Sequence, residues 1–132
     1  MKEVPVGARG EFTLLVGAEH LADRFKDSAL PPVLATPVMI MVMENAALNA
    51  LKPYLEPGES AVGTRVDIRH LAPTPIGATV TGTAEVTRVA GRQIEFTVWA
   101  RDHREEIGTG THERAIIDLA RLLRRLTAKE VA

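Results

Sequence analysis

The sequence predicts an α+β fold in which a curved antiparallel β-sheet wraps around one long central helix. Two observations lead to this prediction. One segment is apolar in every helical direction, and a helix without a polar face must be covered on most sides. Several other segments alternate between apolar and polar residues and are joined by short turns, which suit antiparallel pairing. A strongly curved sheet of this kind provides the cover that the helix needs.

The central helix is predicted to run from Thr36 to about Leu51. The residues before Glu44, TPVMIMVM, carry no charge. Thr36 is expected to be the N-cap, and Pro37 is expected at the first helical position, where its missing N–H costs nothing. The helix is expected to end before KPYLEPGE, because prolines and a glycine interrupt helical structure.

Five segments are predicted to form strands, and they are 9–17, 61–71, 78–89, 93–102 and 107–118. Side chains alternate between the two faces of a strand, so residues two apart share a face. In the second segment this alternation places on one face Val62, Thr64, Val66, Ile68 and His70. In the fourth segment it points inward Ile94, Phe96, Val98 and Ala100. The closely spaced glycines of IGTGTHERAIID, in the fifth segment, favour a bulge or the close approach of another backbone or a ligand.

Two further segments have a different character. Residues 18–35 are expected to form a short helix before Pro31 and Pro32 force an extended backbone. The C-terminal segment has leucines at 119, 122, 123 and 126, which predict a helix with one apolar stripe. The basic residues of this segment are interpreted first as a solvated face, and they are Arg121, Arg124, Arg125 and Lys129. Attraction of an anionic nucleotide-like group is the less favoured interpretation.

Composition narrows the classes of function. At 132 residues the chain is expected to form one domain, residues 1–132. A net charge of −1 argues against nucleic acid as the main ligand. The chain has no cysteine, which excludes disulfides and thiolate catalysis and fits a reducing cytoplasm. It shows neither a signal peptide nor a run of ~18 apolar residues, so a cytoplasmic protein without a membrane partner is predicted.

Three residues are candidates for chemistry. Burying a lone carboxylate is costly, so Glu44 is interpreted either as a group that meets solvent or as a general base that can also orient a histidine or a water. His70 is either a hydrogen-bonded residue of the sheet edge or a proton carrier. Thr36 lies at the positive end of the helix dipole, where orphan N–H groups suit an oxyanion. Weaker candidates are the other histidines, His20, His103 and His112.

The spacing of Thr36 and Glu44 constrains any site that they share. Eight residues on one helix separate them by ~12 Å along the axis, so they cannot hydrogen-bond to each other. If both contact one reacting group, a second subunit must supply one of them, and a symmetric dimer with antiparallel helices does this. A homodimer is therefore a prediction of the catalytic hypothesis, and pairing of dimers into a tetramer is left open.

Several common motifs are missing from the sequence. It contains no phosphate-binding glycine loop, no histidine-rich metal spacing and no G-x-S-x-G elbow. No metal site is predicted. Arg114 is expected either to hold a carboxylate or phosphate or to form a surface ion pair.

The sequence resembles the hotdog-fold acyl-CoA thioesterases, and is most similar to the fluoroacetyl-CoA thioesterase-like group. Four stretches carry the resemblance over nearly the whole chain: LATPVMIMVMENAAL, LKPYLEPGESAVGT, IRHLAPTPIGATVT and EIGTGTHERAIID. The resemblance implies a hotdog fold, a dimer as the minimal unit, and hydrolysis of a short acyl thioester of coenzyme A at the dimer interface. It implies no metal, and no cofactor apart from the coenzyme A of the substrate.

The resemblance also assigns residues to the site. The group's catalytic threonine, glutamate and histidine fall on Thr36, Glu44 and His70, and its site glycine and arginine fall on Gly63 and Arg114.

Two features depart from the group's pattern. Pro37 stands where glycine is common and has no N–H for an oxyanion, so the N–H of Val38, Met39 or Gly63 would have to serve. Segment 18–35 has Phe25 as its one aromatic residue, where fluoroacetyl-selective members carry an aromatic-rich lid. This difference argues against selectivity for fluoroacetyl groups and leaves thioester hydrolysis in place.

The preferred function is therefore thioester hydrolysis. Thr36 attacks or orients the carbonyl carbon, His70 transfers the proton, and Glu44 orients His70 or activates water. An acyl-enzyme on Thr36 and direct attack by water remain alternative routes. Two other functions stay open, a hotdog enoyl-CoA hydratase or dehydratase and a non-catalytic acyl-CoA-binding module.

Overall fold

A computed structural model describes residues 1–131 of the chain. In this range the strands are β1 (Arg9–Leu15), β2 (Glu59–His70), β3 (Thr79–Ala90), β4 (Gln93–Arg101) and β5 (Glu106–Asp118). The α-helices are α1 (Ala22–Phe25), α2 (Thr36–Leu51) and α3 (Leu119–Ala128). Short 3₁₀ turns lie at Ala18–His20 and Lys52–Tyr54. The predicted elements are confirmed, with ends that differ by at most a few residues.

The strands form one antiparallel sheet in the order β1-β3-β4-β5-β2. Helix α2 connects the two edge strands, β1 and β2, and packs against β1, β2, β3 and β4. The sheet curves around the helix, as expected for an element that is apolar in every direction. The predicted fold class is confirmed.

The core lies between α2 and the concave face of the sheet. The predicted inward residues of β4 are all buried, since Ile94, Phe96, Val98 and Ala100 are at most 1% exposed. The helix contributes half of its residues to the core, namely Val38, Met39, Val42, Met43, Ala46, Ala47, Ala50 and Leu51. Burial of these apolar side chains is the main stabilising term for a fold of this size.

A β-bulge in β2 makes one predicted strand face wrong. Gly63 pairs with Arg114, but the next paired residue of β2 is Arg65, which pairs with Glu113, so Thr64 is an extra residue. Directly opposed residues share a face, so the side chains on each side of the bulge follow different alternations. Val66, Ile68 and His70 do share a face, as predicted, but Val62 and Thr64 lie on the other one. The face of His70 continues before the bulge with Ala61 and Gly63.

The start of α2 also differs from its prediction. Ala35 is the N-cap, with an extended backbone, and no side chain caps the helix. Thr36 is therefore the first helical residue and Pro37 the second, still within the turn where an N–H needs no helical partner. The Thr36 hydroxyl is consequently free to bind another group.

The C-terminal helix α3 begins at a capped position. The Asp118 carboxylate accepts a hydrogen bond from the Arg121 N–H at 3.1 Å. The helix packs on the end of β5, and much of its leucine stripe, Leu119, Leu123 and Leu126, stays exposed. Within residues 1–131, no helix has both the length and the apolar character needed to cross a membrane.

Gly10 of β1 lies close against the backbone of α2. A methyl group on Gly10 would overlap the Ala46 carbonyl oxygen and the Ala50 nitrogen, which are backbone atoms. We expect Gly10→Ala to lower the free energy of unfolding by roughly 1–3 kcal/mol, because the helix must move away from the sheet. Urea denaturation measures this difference. Glu11→Ala, an exposed change on the same strand, is the control, and equal stabilities for the two variants would contradict the close approach.

Candidate active site

Thr36 and His70 form the first polar pair of the site. The Thr36 Oγ1 lies 2.8 Å from His70 Nδ1. The hydroxyl can donate to this nitrogen when the histidine proton is on Nε2. A hydroxyl hydrogen-bonded to a neutral imidazole is the arrangement in which a weak nucleophile is activated by a general base.

Backbone hydrogen bonds fix the segment that leads to Thr36. The Leu34 N–H donates to the Thr74 carbonyl oxygen at 2.9 Å, and the Ala35 N–H donates to the His20 carbonyl oxygen at 2.9 Å. Thr74 is fully buried, and its hydroxyl donates to Asp102 at 3.0 Å. These bonds hold the start of α2 against the loop after β2, so the hydroxyl and the imidazole meet in one geometry.

A cavity of about 410 Å³ opens beside the pair. Thr36 and His70 both line it. The remaining walls come from the segment before α2 and the loop after β2, and they are aliphatic apart from one lysine: Ala22, Lys26, Leu30, Pro31, Val33, Leu34, Leu71, Ala72 and Pro73. An apolar cavity with a few convergent polar groups is typical of a small-molecule site.

Burial lowers the pKa of His70 below its ordinary value of 6.5, and a backbone contact with Ala72 acts in the opposite direction. His70 is therefore neutral at physiological pH and able to accept a proton. Its Nε2 is buried and has no hydrogen-bond partner within residues 1–131. This nitrogen is free for a group that residues 1–131 do not supply.

Glu44 belongs to a second polar cluster, with Arg114 and Gly63. Glu44 Oε2 lies 3.9 Å from Arg114 Nη1, and the Glu44 side chain is 37% exposed. A methyl group on Gly63 would lie 2.9 Å from Glu44 Oε2, so the glycine leaves room for the carboxylate. The structure thus brings Glu44, Gly63 and Arg114 together, as it does Thr36 and His70.

Arg114 is buried and strongly anchored. Its Nη2 donates to the Ala61 carbonyl oxygen at 2.7 Å, and its Nη1 donates to the Glu44 carbonyl oxygen at 3.4 Å. Burial lowers the pKa of Arg114 from its ordinary value, and Glu44 opposes this shift. A surface ion pair, one of the two expected roles of Arg114, is excluded by this burial.

His112 is a member of this cluster that the sequence ranks among the weaker histidines. It is 1% exposed, and its ring stacks on Phe96 with centroids 6.0 Å apart. Its Nδ1 donates to the Arg65 carbonyl oxygen at 2.7 Å, which leaves Nε2 to accept from Arg114 Nη1 at 3.1 Å. His112 therefore holds the guanidinium in place. Its alternation with Arg114 and Ile116 on β5 is the sequence signal that indicates an inward face.

One expectation about the site needs correction, and one stays a prediction. Within residues 1–131 Glu44 pairs with Arg114 while His70 pairs with Thr36, so a contact between Glu44 and His70 stays a prediction for two subunits. The N–H groups of Val38 and Met39 both donate to the Ala35 carbonyl oxygen, at 3.0 and 3.1 Å. They are not free for an oxyanion. Of the donors that the sequence suggests, only the N–H of Gly63 remains.

Two histidines, half-buried His70 and buried His112, predict how stability depends on pH. Burial lowers the pKa of His112 below 6.5, and Arg114 lowers it further while the Arg65 carbonyl oxygen and Glu44 act against this. Below about pH 6.5, His70 and His112 bind protons in the unfolded chain but not in the folded chain. The free energy of unfolding is therefore highest above about pH 6.5 and decreases as the pH falls toward the folded pKa values. We expect a loss of up to about 1.4 kcal/mol per pH unit for each histidine.

Urea denaturation at about pH 7.5 and about pH 5.5 measures this loss. His112→Gln keeps an acceptor for Arg114 and should reduce the pH dependence, whereas His103→Gln, in an exposed turn, should not. This pH range lies above the pKa values of the two carboxylates with lowered pKa, Glu59 (about 2) and Asp102 (below 3.8), so their titration does not contribute to the measured loss. An unchanged slope in His112→Gln would contradict the neutral, buried state of this histidine.

Comparisons with known proteins agree with the geometry. The family described as "FlK: Fluoroacetyl-CoA-specific thioesterase" matches residues 16–120. The fluoroacetyl-CoA thioesterase of Streptantibioticus cattleyicolor is 47% identical over 102 residues, covering 77% of this chain and 73% of that protein. The solved structure of the fluoroacetyl-CoA thioesterase FlK matches with a TM-score of 0.93 at 38% identity, covering 98% of this chain and 100% of that one.

The fold comparison extends to a hot-dog-like protein from Thermanaerovibrio acidaminovorans. It matches with a TM-score of 0.84 at 28% identity, covering 97% of this chain and 94% of that one. The hotdog architecture is therefore confirmed. The family match includes Thr36, Glu44, Gly63, His70 and Arg114 within its range. The chain belongs to the fluoroacetyl-CoA-specific thioesterase family.

Proposed function

We propose that the chain hydrolyses short-chain acyl-CoA thioesters at a site formed by two subunits. As a member of a thioesterase family it is a thioester hydrolase. A variant of FlK has been solved in complex with acetyl-CoA, which supports a short acyl-CoA as the substrate. The observation that carries the proposal is the hydroxyl–imidazole contact of 2.8 Å between Thr36 and His70 at the wall of a cavity.

The unpaired Nε2 of His70 supports a site that is completed by a second subunit. A catalytic histidine that accepts a proton on one nitrogen usually has a carboxylate on the other, which fixes the tautomer and stabilises the imidazolium. Glu44 of the same chain pairs with Arg114 instead. In a symmetric dimer with antiparallel α2 helices, Glu44 of one subunit approaches Thr36 and His70 of the other. We propose this dimer as the active form.

The proposed reaction begins with attack of Thr36 Oγ1 on the thioester carbonyl carbon. The hydroxyl proton moves to His70 Nδ1, the carbon–sulfur bond breaks, and coenzyme A leaves as the thiol after it takes this proton. Water then hydrolyses the acyl ester of Thr36, with His70 accepting the water's proton and returning it to Thr36. The proposed donor to the oxyanion is the N–H of Gly63 of the partner subunit, which lies beside the partner's Glu44.

Direct attack by water is the second candidate mechanism. The Glu44 carboxylate is 37% exposed, so a water molecule can reach it. In this route Glu44 takes the proton of the attacking water, and Thr36 orients the carbonyl group. Both routes release a free acid and coenzyme A.

The proposal covers short acyl groups in general. Phe25, the one aromatic residue of segment 18–35, is 53% exposed and does not line the cavity beside Thr36. The aliphatic wall offers no aromatic group that would recognise a fluoromethyl group in particular. The cytoplasmic location remains a prediction from the sequence.

The first test of this function is release of free thiol from a panel of acyl-CoA thioesters. We expect Thr36→Ala, Glu44→Gln and His70→Asn to lower kcat/KM by roughly 10²–10⁴-fold, the range for loss of a catalytic acid, base or nucleophile. Glu113→Gln, a carboxylate change at a neighbouring position on β5, is the matched control. Water added across an enoyl-CoA without thiol release would identify a hydratase instead, and binding without turnover would identify a binding module.

The route is settled in the same experiment by mass spectrometry of rapidly quenched enzyme. An acyl group on Thr36 supports the acyl-enzyme route. A Thr36→Ala variant that keeps its activity, without any adduct in the wild type, rules that route out and favours water activated by Glu44.

Mixed dimers test whether Thr36 and Glu44 act across the interface. If they do, a heterodimer of Thr36→Ala and Glu44→Gln chains has one doubly altered site and one intact site. Statistical assembly then restores about a quarter of the wild-type activity from two inactive variants. Co-expression of the two chains and a thiol-release assay on the unseparated mixture of dimers measure the recovery. If each site is formed within one chain, every site stays altered and no activity returns.

A further inference from the structure

A second cavity, of about 370 Å³, lies between the end of β5 and α3. Three arginines line it, Arg92, Arg121 and Arg125. The other walls are Ile116, Ile117, Asp118 and Leu122. The volume falls within the ~300–1,000 Å³ that small-molecule sites occupy in proteins. None of these residues takes part in the proposed chemistry.

The charges around this cavity leave two guanidinium groups without a counterion. Arg92 is paired with Glu59 at 3.0 Å and donates to the Ile116 carbonyl oxygen at 3.4 Å. The ion pairs within residues 1–131 include neither Arg121 nor Arg125. The one carboxylate in the wall, Asp118, accepts a hydrogen bond from the Arg121 N–H. The cavity therefore carries a net positive charge.

The spacing of these arginines also points to an anion. Arg121 and Arg125 are four residues apart on α3, so they lie on one face, and like charges at this spacing destabilise a helix. A phosphate between them would reverse this repulsion and accept charge-assisted hydrogen bonds from both. The partly exposed apolar side chains of the wall, Ile117 and Leu122, offer a surface for a flat aromatic base.

The position of the cavity fits a ligand that also reaches the active site. Ile116 follows Arg114 by two residues on β5, so the cavity begins roughly 7 Å along the strand from the cluster of Glu44, Gly63 and Arg114. In coenzyme A the phosphopantetheine arm separates the thioester from a nucleotide that bears a 3′-phosphate and a diphosphate. A binding site for that nucleotide must therefore lie outside the catalytic cluster but within reach of it.

We propose that the cavity lined by Arg92, Arg121 and Arg125 binds the phosphorylated nucleotide end of the acyl-CoA substrate. The inference rests on the proposed function, since the nucleotide is chosen because the substrate is a thioester of coenzyme A. Arg121 and Arg125 bind phosphate oxygens, and Ile117 and Leu122, which are both partly exposed, contact the adenine. Of the arginines on α3, Arg121 and Arg125 then bind the ligand, whereas Arg124 does not line the cavity.

The direct test is binding of adenosine 3′,5′-bisphosphate, followed by isothermal titration calorimetry on the full chain. We expect the wild type to bind this nucleotide, and Arg121→Ala combined with Arg125→Ala to weaken binding by at least about tenfold, since each lost guanidinium removes a charge-assisted hydrogen bond. Arg124→Ala, with the same loss of charge on the same helix, should change it less than about twofold. Equal weakening by Arg124→Ala, or no weakening by the double variant, would overturn the site.

Kinetics separate this site from the proposed function. The double variant should raise KM for acyl-CoA but leave kcat/KM unchanged for the same acyl thioester of N-acetylcysteamine, which lacks the nucleotide. An equal effect on both substrates, or none on acyl-CoA, would overturn the nucleotide site while hydrolysis stands. Nucleotide binding that depends on Arg121 and Arg125, in a protein that hydrolyses no acyl-CoA, would support the site and refute the proposed function.

Discussion

The packing of α2 against the concave face of the sheet is the constraint on which the rest of the structure depends. The helix has no polar face, so it must be covered, and the sheet can cover it only by approaching closely. Glycines make this approach where the helix and the strands meet. Gly10 of β1 lies against the helix backbone, and a methyl group on Gly108 of β5 would lie 2.6 Å from Met39 Sδ. The backbone expected to approach the glycines of β5 is that of β2, since a methyl group on Gly110 would overlap the Asp67 carbonyl oxygen.

The same packing distributes the functional groups. Since α2 runs along the sheet, it presents Thr36 at one end of β2, beside His70, and Glu44 near Gly63 and Arg114. The two halves of the proposed site are the pair of Thr36 with His70 and the cluster of Glu44 with Gly63 and Arg114. Each half takes one residue from the helix and at least one from the edge strand β2. A single rigid contact surface therefore fixes both halves, and neither depends on a long flexible loop for its position. The buried hydrogen bonds of Arg114 and His112 add to this rigidity on β5, the strand that pairs with the edge strand β2.

Much of the fold follows from local patterns that tertiary structure does not override. The helix bounds follow from Thr36-Pro37 at one end and KPYLEP at the other, and the alternation of Ile94, Phe96, Val98 and Ala100 places β4 correctly. The bulge at Thr64 could not be predicted, because the segment 61–71 alternates without interruption and the extra residue is defined only by its pairing with β5. The partner of Glu44 could not be predicted either, because Arg114 is distant in sequence and reaches it through the register of β5. Thr36 was assigned to the N-cap by its residue type, yet its hydroxyl bonds to a histidine 34 residues away, a contact that no local rule contains.

Because of the bulge in β2, the faces of the functional residues depend on the number of residues in this strand as well as on their identity. Before the bulge, Ala61 and Gly63 face the helix side, and after it His70 does, which is possible only because Thr64 adds one residue between them. Gly63 and His70 are seven residues apart, and strict alternation over an odd spacing would place them on opposite faces. A one-residue deletion that removes the bulge gives a spacing of six and keeps both residues on the helix side. A change of one residue that leaves the bulge in place would turn one half of the strand over, so that either the histidine leaves Thr36 or the glycine leaves Glu44. Lineages that inherit this site can therefore exchange amino acids along the edge strand, but the number of residues between its two ends can change only together with the bulge.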